Sequence, residues 1–86
     1  MSAEKLGYAQ VAAATATIKS GPSGFFGLTC VVAGAVTVYD STAASGDILY
    51  TKTLAVGDVV NFGTFGYAAK NGLTVVSVGT VNVQYT

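Results

Sequence analysis

The sequence predicts an all-β protein, a small two-sheet sandwich or jelly-roll-like domain with an N-terminal arm, and three observations support this. Valine, threonine, tyrosine and phenylalanine recur along the chain, and these residues fit the pleated, half-buried surface of a sheet. Glycines and small polar clusters interrupt them about every 8 to 12 residues, as in sandwiches and barrels. The chain also repeats a phrase, GLTCVVAGAVTVY at residues 27–39 and GLTVVSVGTVNVQ at residues 72–84. A small closed barrel has the same alternation and is the alternative within the all-β class.

The length of 86 residues fits one domain, since single cores are usually built from about 100 to 150 residues. We divide the chain into an alanine-rich N-terminal arm, residues 1–13, and a sandwich domain, residues 14–86. Strands are predicted near residues 12–19, 25–32, 35–40, 47–54, 58–63, 66–70, 72–78 and 80–86.

Each copy of the repeated phrase is interpreted as a β-hairpin. Three-residue loops that end in Gly34 and Gly79 fit a type I turn followed by a bulge, in which glycine supplies a positive φ. This register buries one apolar face of each hairpin and leaves the threonines outside, and a slip by one residue would reverse the faces. The predicted buried residues are Phe26, Leu28, Cys30, Val36 and Val38 in the first hairpin, and Leu73, Val75, Val81, Val83 and Tyr85 in the second.

Two segments separate the copies of the phrase. Residues 40–47, DSTAASGD, are a polar loop in which the aspartates can accept hydrogen bonds from neighbouring backbone amides. Residues 54–72 hold Phe62, Phe65 and Tyr67 among glycines. Aromatic residues flanked by glycine either pack edge-on in the core or project from a flexible surface.

The composition favours a subunit whose surface is covered by other chains. The formal net charge is zero, 9% of the residues are charged and 51% are hydrophobic, whereas a free monomer usually carries about 25 to 35% charged residues on its surface. A domain of this size has a marginal core, and one cysteine cannot form an intrachain disulfide. We therefore expect stability to come from association, as a homo-oligomer or on a larger assembly.

The same composition argues against several functions. There is no histidine, and Cys30 falls on the predicted buried face, so neither nucleophilic catalysis nor a metal site is expected. No cofactor motif is present, and the protein is expected not to be an enzyme. Four scattered lysines and no arginine argue against nucleic-acid binding. No run of about 18 apolar residues is present, so no membrane span is expected.

Residues 18–86 resemble small β-rich structural proteins of tailed bacteriophages. The resemblance rests on IKSGPSG at residues 18–24, VTVYD at 36–40, TAASG at 42–46 and GLTVVSVGTVNVQY at 72–85. These are strand and turn phrases rather than catalytic signatures. The resemblance implies a virion protein made in the host cytoplasm, a capsid decoration (cement) protein that sits as a trimer on the capsid surface and contacts the major capsid protein or other virion subunits.

Two alternatives remain at this stage, a neck or tail-fibre component and a small module that binds host carbohydrate. The carbohydrate module would use Phe65, Tyr67 and Asp58. For a cement protein with so few charges, attachment is expected to come from apolar burial. The predicted partner-contact residues are Leu6, Tyr8 and Val11 of the arm, and Phe62, Phe65 and Tyr67 among the glycines.

Overall fold

Short runs of β-branched and aromatic residues form nine strands in the computed structural model, which describes residues 7–62 and 66–86. The described part of the chain contains no helix, and hence none able to cross a membrane. The strands are β1 (Gly7–Ala12), β2 (Thr15–Ser20), β3 (Ser23–Val32), β4 (Gly34–Asp40), β5 (Asp47–Leu54), β6 (Val59–Asn61), β7 (Tyr67–Ala69), β8 (Gly72–Ser77) and β9 (Thr80–Tyr85).

The strands form two antiparallel sheets that pack as a sandwich, which confirms the predicted all-β class. The first sheet has the order β1-β9-β3-β6, and β7 pairs with the beginning of β3 beside β6. The second sheet has the order β2-β8-β4-β5. No described strand pairs with strands of both sheets, so the described strands do not close into one barrel.

The prediction that each repeated phrase forms a hairpin is wrong, because its two strands lie in different sheets. β3 pairs with β9, with Leu28 opposite Val83, and β4 pairs with β8, with Val38 opposite Val75. Each phrase is therefore an arch that crosses from one sheet to the other, and the two arches interlock. The repeat supplies the four central strands of the sandwich, two in each sheet.

Gly34 and Gly79 occupy equivalent positions in the two phrases, and they meet where the arches cross. A Cβ atom placed on Gly34 would lie 3.0 Å from the Cα of Gly79 and overlap its backbone nitrogen. A Cβ atom on Gly79 would overlap the carbonyl oxygen of Val32. Gly79 does not have the positive φ that the predicted bulge required. These glycines are needed because two backbones approach closely.

The predicted buried face is largely confirmed, because an arch keeps the same inward and outward alternation as a hairpin. Eight of the predicted residues have at most 2% of their surface exposed, namely Leu28, Cys30, Val36, Val38, Leu73, Val75, Val81 and Val83. Cys30 is a buried free thiol. Phe26, however, is half-buried, and Phe25 is fully buried in its place. The cause is a shift of the β3–β9 register between Phe25 and Gly27, which breaks the alternation.

The beginning of the described chain belongs to the sandwich, which differs from the predicted arm. Residues 7–12 form β1, which pairs with β9 along its whole length. Val11 is 2% exposed and lies in the core. Ala13, with a φ of 47°, turns the chain from β1 into β2 of the other sheet. Residues 1–6 of the predicted arm lie outside the described residues.

The polar loop between β4 and β5 is anchored to the neighbouring turn. The hydroxyl of Thr74 donates a hydrogen bond to the carbonyl of Ser41 over 2.8 Å. Thr74 is fully buried, although the strand alternation predicted that it would face outward. Asp40 Oδ1 accepts a hydrogen bond from the backbone N–H of Asn71 over 2.8 Å. This bond, together with smaller contributions from nearby amides and from Lys70, lowers the pKa of Asp40 against a partial desolvation that raises it.

We expect acid to weaken this anchor. A carboxylate whose pKa is lower in the folded than in the unfolded state stabilises the fold above the unfolded value, and that contribution is lost as the pH falls through the folded value. Thermal unfolding of the native protein should therefore occur at lower temperature below about pH 4 than at pH 7. Asp40→Asn should show a smaller drop over the same range. Asp47→Asn, which removes a charge from the other end of the loop, is the control, and an equal effect in both variants would contradict the assignment.

Candidate functional site: an apolar end of the sandwich

The strand pairing divides the turns between the two ends of the sandwich. Ala12 and Val32 both pair with Thr80, and Gly34 pairs with Leu54, so the neighbouring turns share one end. The segments at this end are residues 12–14, 31–35, 55–59 and 78–79. The segments at the other end are residues 20–23, 40–47 and 70–72.

The two ends differ in composition. The segments at the first end read AAA, VVAGA, AVGDV and VG, so every residue except Asp58 is alanine, valine or glycine. The segments at the other end read SGPS, DSTAASGD and KNG, which is the usual chemistry of turns. Surface turns are ordinarily polar because they face water. We call the first set of four segments the apolar end.

The valines of the apolar end are exposed. Of the eight large hydrophobic residues that are exposed in the described part of the chain, five belong to it. Their exposed fractions are 42% for Val31, 52% for Val32, 69% for Val56, 67% for Val59 and 68% for Val78. Single exposed apolar residues are common, but a cluster of them is typical of a surface that binds another molecule.

Backbone hydrogen bonds hold the apolar end in one shape. The N–H of Ala13 donates to the carbonyl of Gly79 over 2.7 Å, which joins the first turn to the last. The N–H of Val78 donates to the carbonyl of Ala35 over 2.9 Å. The N–H of Gly57 donates to the carbonyl of Cys30 over 3.0 Å, which ties the β5–β6 turn to β3. A surface fixed in this way has less conformational entropy to lose when a partner covers it.

Asp58 is the one charged residue of the apolar end, and it is used within its own turn. Its Oδ2 accepts a hydrogen bond from the N–H of Ala55 over 2.9 Å. Its N–H donates to the carbonyl of Ala55 over 3.0 Å, and its carbonyl accepts the N–H of Cys30 over 2.8 Å. The carboxylate therefore stabilises the β5–β6 turn, a role that is independent of any ligand.

The predicted contact residues are dispersed. Tyr8 is 69% exposed, and it pairs with Gln84 at the beginning of β1, away from the apolar end. Val11 is in the core and cannot contact a partner while β1 stays in the sheet. Leu6 and Phe65 lie outside the described residues.

Phe62 and Tyr67 belong to an aromatic cluster that includes Phe25 and Tyr50. The rings of Phe62 and Tyr67 stack with centroids 4.4 Å apart, and Phe62 also contacts Phe25 at 5.2 Å and Tyr50 at 5.7 Å. Because Tyr50 is on β5 and the other rings are on or beside β3, β6 and β7, the cluster joins the two sheets. Burial and the negative charge of Asp58 raise the pKa of Tyr50. Tyr67 is 44% exposed, with one ring face against Phe62.

The part of the chain that the structure describes contains no group of three or more His, Cys, Asp or Glu side chains that could hold a metal ion, and no pocket. Its main surface feature is the apolar end, which the sequence analysis did not single out. The signal that could have found it is the absence of polar turn residues from four of the turns. Comparison with protein-family models, with curated proteins and with solved structures finds no match to this chain.

Proposed function

We propose that this protein is a structural component of a tailed-phage virion, a capsid decoration protein that attaches to shell subunits through its apolar end. The observation that carries the proposal is that five exposed valines lie at one end of the sandwich, in turns and at strand ends that backbone hydrogen bonds fix. The resemblance of residues 18–86 to phage structural proteins suggests that the partner of this surface is part of a phage virion.

The chemistry of the surface suits attachment without catalysis. Fully burying a valine side chain contributes about 1.5 kcal/mol or more, so several of them buried together can offset the cost of association. With four lysines and four acidic residues, the chain can form few ion pairs, so apolar burial is the main source of binding free energy. A rigid apolar surface present in many copies is what a decoration protein needs to stabilise a shell.

The test is a charge placed on the apolar end. The double variant Val56→Asp/Val78→Asp should bind particles that lack the protein at least about tenfold more weakly, because two carboxylates would be desolvated in the interface. Ile48→Asp is the matched control, since Ile48 is 54% exposed on β5 near the other end, and it should bind like the native protein. Far-UV circular dichroism checks that all variants fold.

Salt and copy number add two readouts. Attachment by apolar contacts should persist in about 1 M sodium chloride, which screens surface charges. Mass analysis of purified particles should find hundreds of copies, whereas a neck or tail-fibre component would be present in about a dozen. Full-strength binding of the double variant, or release by salt, would overturn attachment through the apolar end.

A further inference from the structure

Each sheet has two edges, and the outer side of an edge strand pairs with no other strand in residues 7–62 and 66–86. β1 is one edge of the first sheet, and β6 with β7 forms the opposite edge. β2 and β5 are the edges of the second sheet. An unprotected edge pairs readily with a strand from another chain, and proteins usually prevent this with charges, bulges, prolines or short strands.

Three of these edges carry such protection. β2 contains Lys19 and shifts its register between Thr17 and Lys19. β5 carries Asp47 and Lys52, and its pairing with β4 is also irregular. β6 and β7 have three residues each and pair with different parts of β3, so neither offers a long ladder.

β1 carries none of these devices. Its six residues, GYAQVA, include no charge and no proline. They pair with β9 in uninterrupted register from Gly7 opposite Tyr85 to Ala12 opposite Thr80. Gln10 is exposed on the same face as Tyr8, and Val11 faces the core. β1 is therefore a regular strand whose second side pairs with no other described strand.

We propose that two copies of this chain dimerise by pairing β1 with β1 in antiparallel orientation about a two-fold axis. Near a two-fold axis, a residue of one copy lies opposite the same residue, or a neighbour of it, in the other copy. A charged residue there would therefore be repelled by the same charge of the other copy. The uncharged β1 meets this requirement, and the free edge of a second copy offers a strand of matching length. In a register that places even-numbered residues opposite even-numbered residues, Tyr8 and Gln10 stay on the outer face and Val11 stays on the core face. The two five-stranded sheets then form one sheet of ten strands.

The dimer would have a consequence for attachment, which rests on the proposed function. Antiparallel strands about a two-fold axis point the two apolar ends in opposite directions. One dimer could then bridge two neighbouring shell subunits, and the second contact would be strengthened by the first. A trimer, in contrast, would require β1 to pair with a different edge of the next copy, and those edges are the protected ones.

The experiment uses opposite charges at Gln10 on the full chain, in solution and without particles. Sedimentation should show a dimer for the native protein. Gln10→Lys and Gln10→Glu alone should each weaken dimerisation by about tenfold or more, because like charges meet across the axis. An equimolar mixture of the two variants should recover dimers that contain one copy of each, which native mass spectrometry identifies. Circular dichroism establishes that each variant is folded.

The control is Thr53→Lys, which places the same charge on an exposed position of β5, the edge of the other sheet. It should leave the dimer intact. A native protein that is monomeric throughout the micromolar range would overturn the proposal. So would an oligomer, a trimer included, that is insensitive to both Gln10 variants or is dissociated by Thr53→Lys. Because no particle is involved, failure here leaves the attachment experiment at the apolar end unaffected.

Discussion

Gly79→Ala is expected to lower the free energy of unfolding by at least about 3 kcal/mol. The added methyl group would overlap the carbonyl oxygen of Val32 and come within 2.5 Å of that of Ala33. Both are backbone atoms, so no side-chain rotation can relieve the overlap. The strain falls where the two arches cross, and relieving it would separate strands that carry most of the core.

The control is Gly21→Ala, which separates steric overlap from backbone conformation. Gly21 has a φ of 117°, and a Cβ atom there would meet no atom within 4 Å. Its cost should be that of an unfavourable backbone angle alone, about 1 to 3 kcal/mol. Chemical denaturation of the three proteins measures the difference. Equal loss of stability in the two variants would show that the arches do not cross closely at Gly79.

The crossing also shows why the sequence predicted the layers but not the connectivity. Strand alternation follows from local residue order, so Val36, Val38, Val81 and Val83 could be assigned to the core without knowing their partners. A hairpin and an arch require the same alternation on both sides of the turn. What distinguishes them is the contact between Gly34 and Gly79, which are 45 positions apart in the sequence and meet only in the folded chain.

The candidate site was missed for a related reason. The composition predicts a surface covered by a partner, and the residues predicted to contact it lie in the N-terminal arm and among the glycine-flanked aromatic residues. Val31 lies at the end of β3, and Val56 and Val78 lie in two separate turns, so each looks ordinary in its own segment. Only the pairing of the strands brings these segments to one end of the sandwich, where their common lack of polar residues is shared by the whole end.

The exchange of Phe25 and Phe26 can be tested directly. Phe25→Ala should lower the free energy of unfolding by about 3 to 5 kcal/mol, as expected for a fully buried phenylalanine. It removes a ring that packs on Phe62 at 5.2 Å and leaves a cavity beside the aromatic cluster. Equilibrium denaturation measures the loss, and a change in the intensity of tyrosine emission would report the change around Tyr50 and Tyr67.

Phe26→Ala is the matched variant, because it removes the same ring one residue further along β3. The ring of Phe26 lies over backbone that has no Cβ atoms, since a Cβ on Gly24 would be 2.8 Å from it and one on Gly66 would be 3.2 Å away. It is half-buried in this position, so its removal should cost less than about 2 kcal/mol. A continuous alternation through β3 would bury Phe26 and expose Phe25. The larger loss would then belong to Phe26→Ala, and the register shift before Gly27 would be refuted.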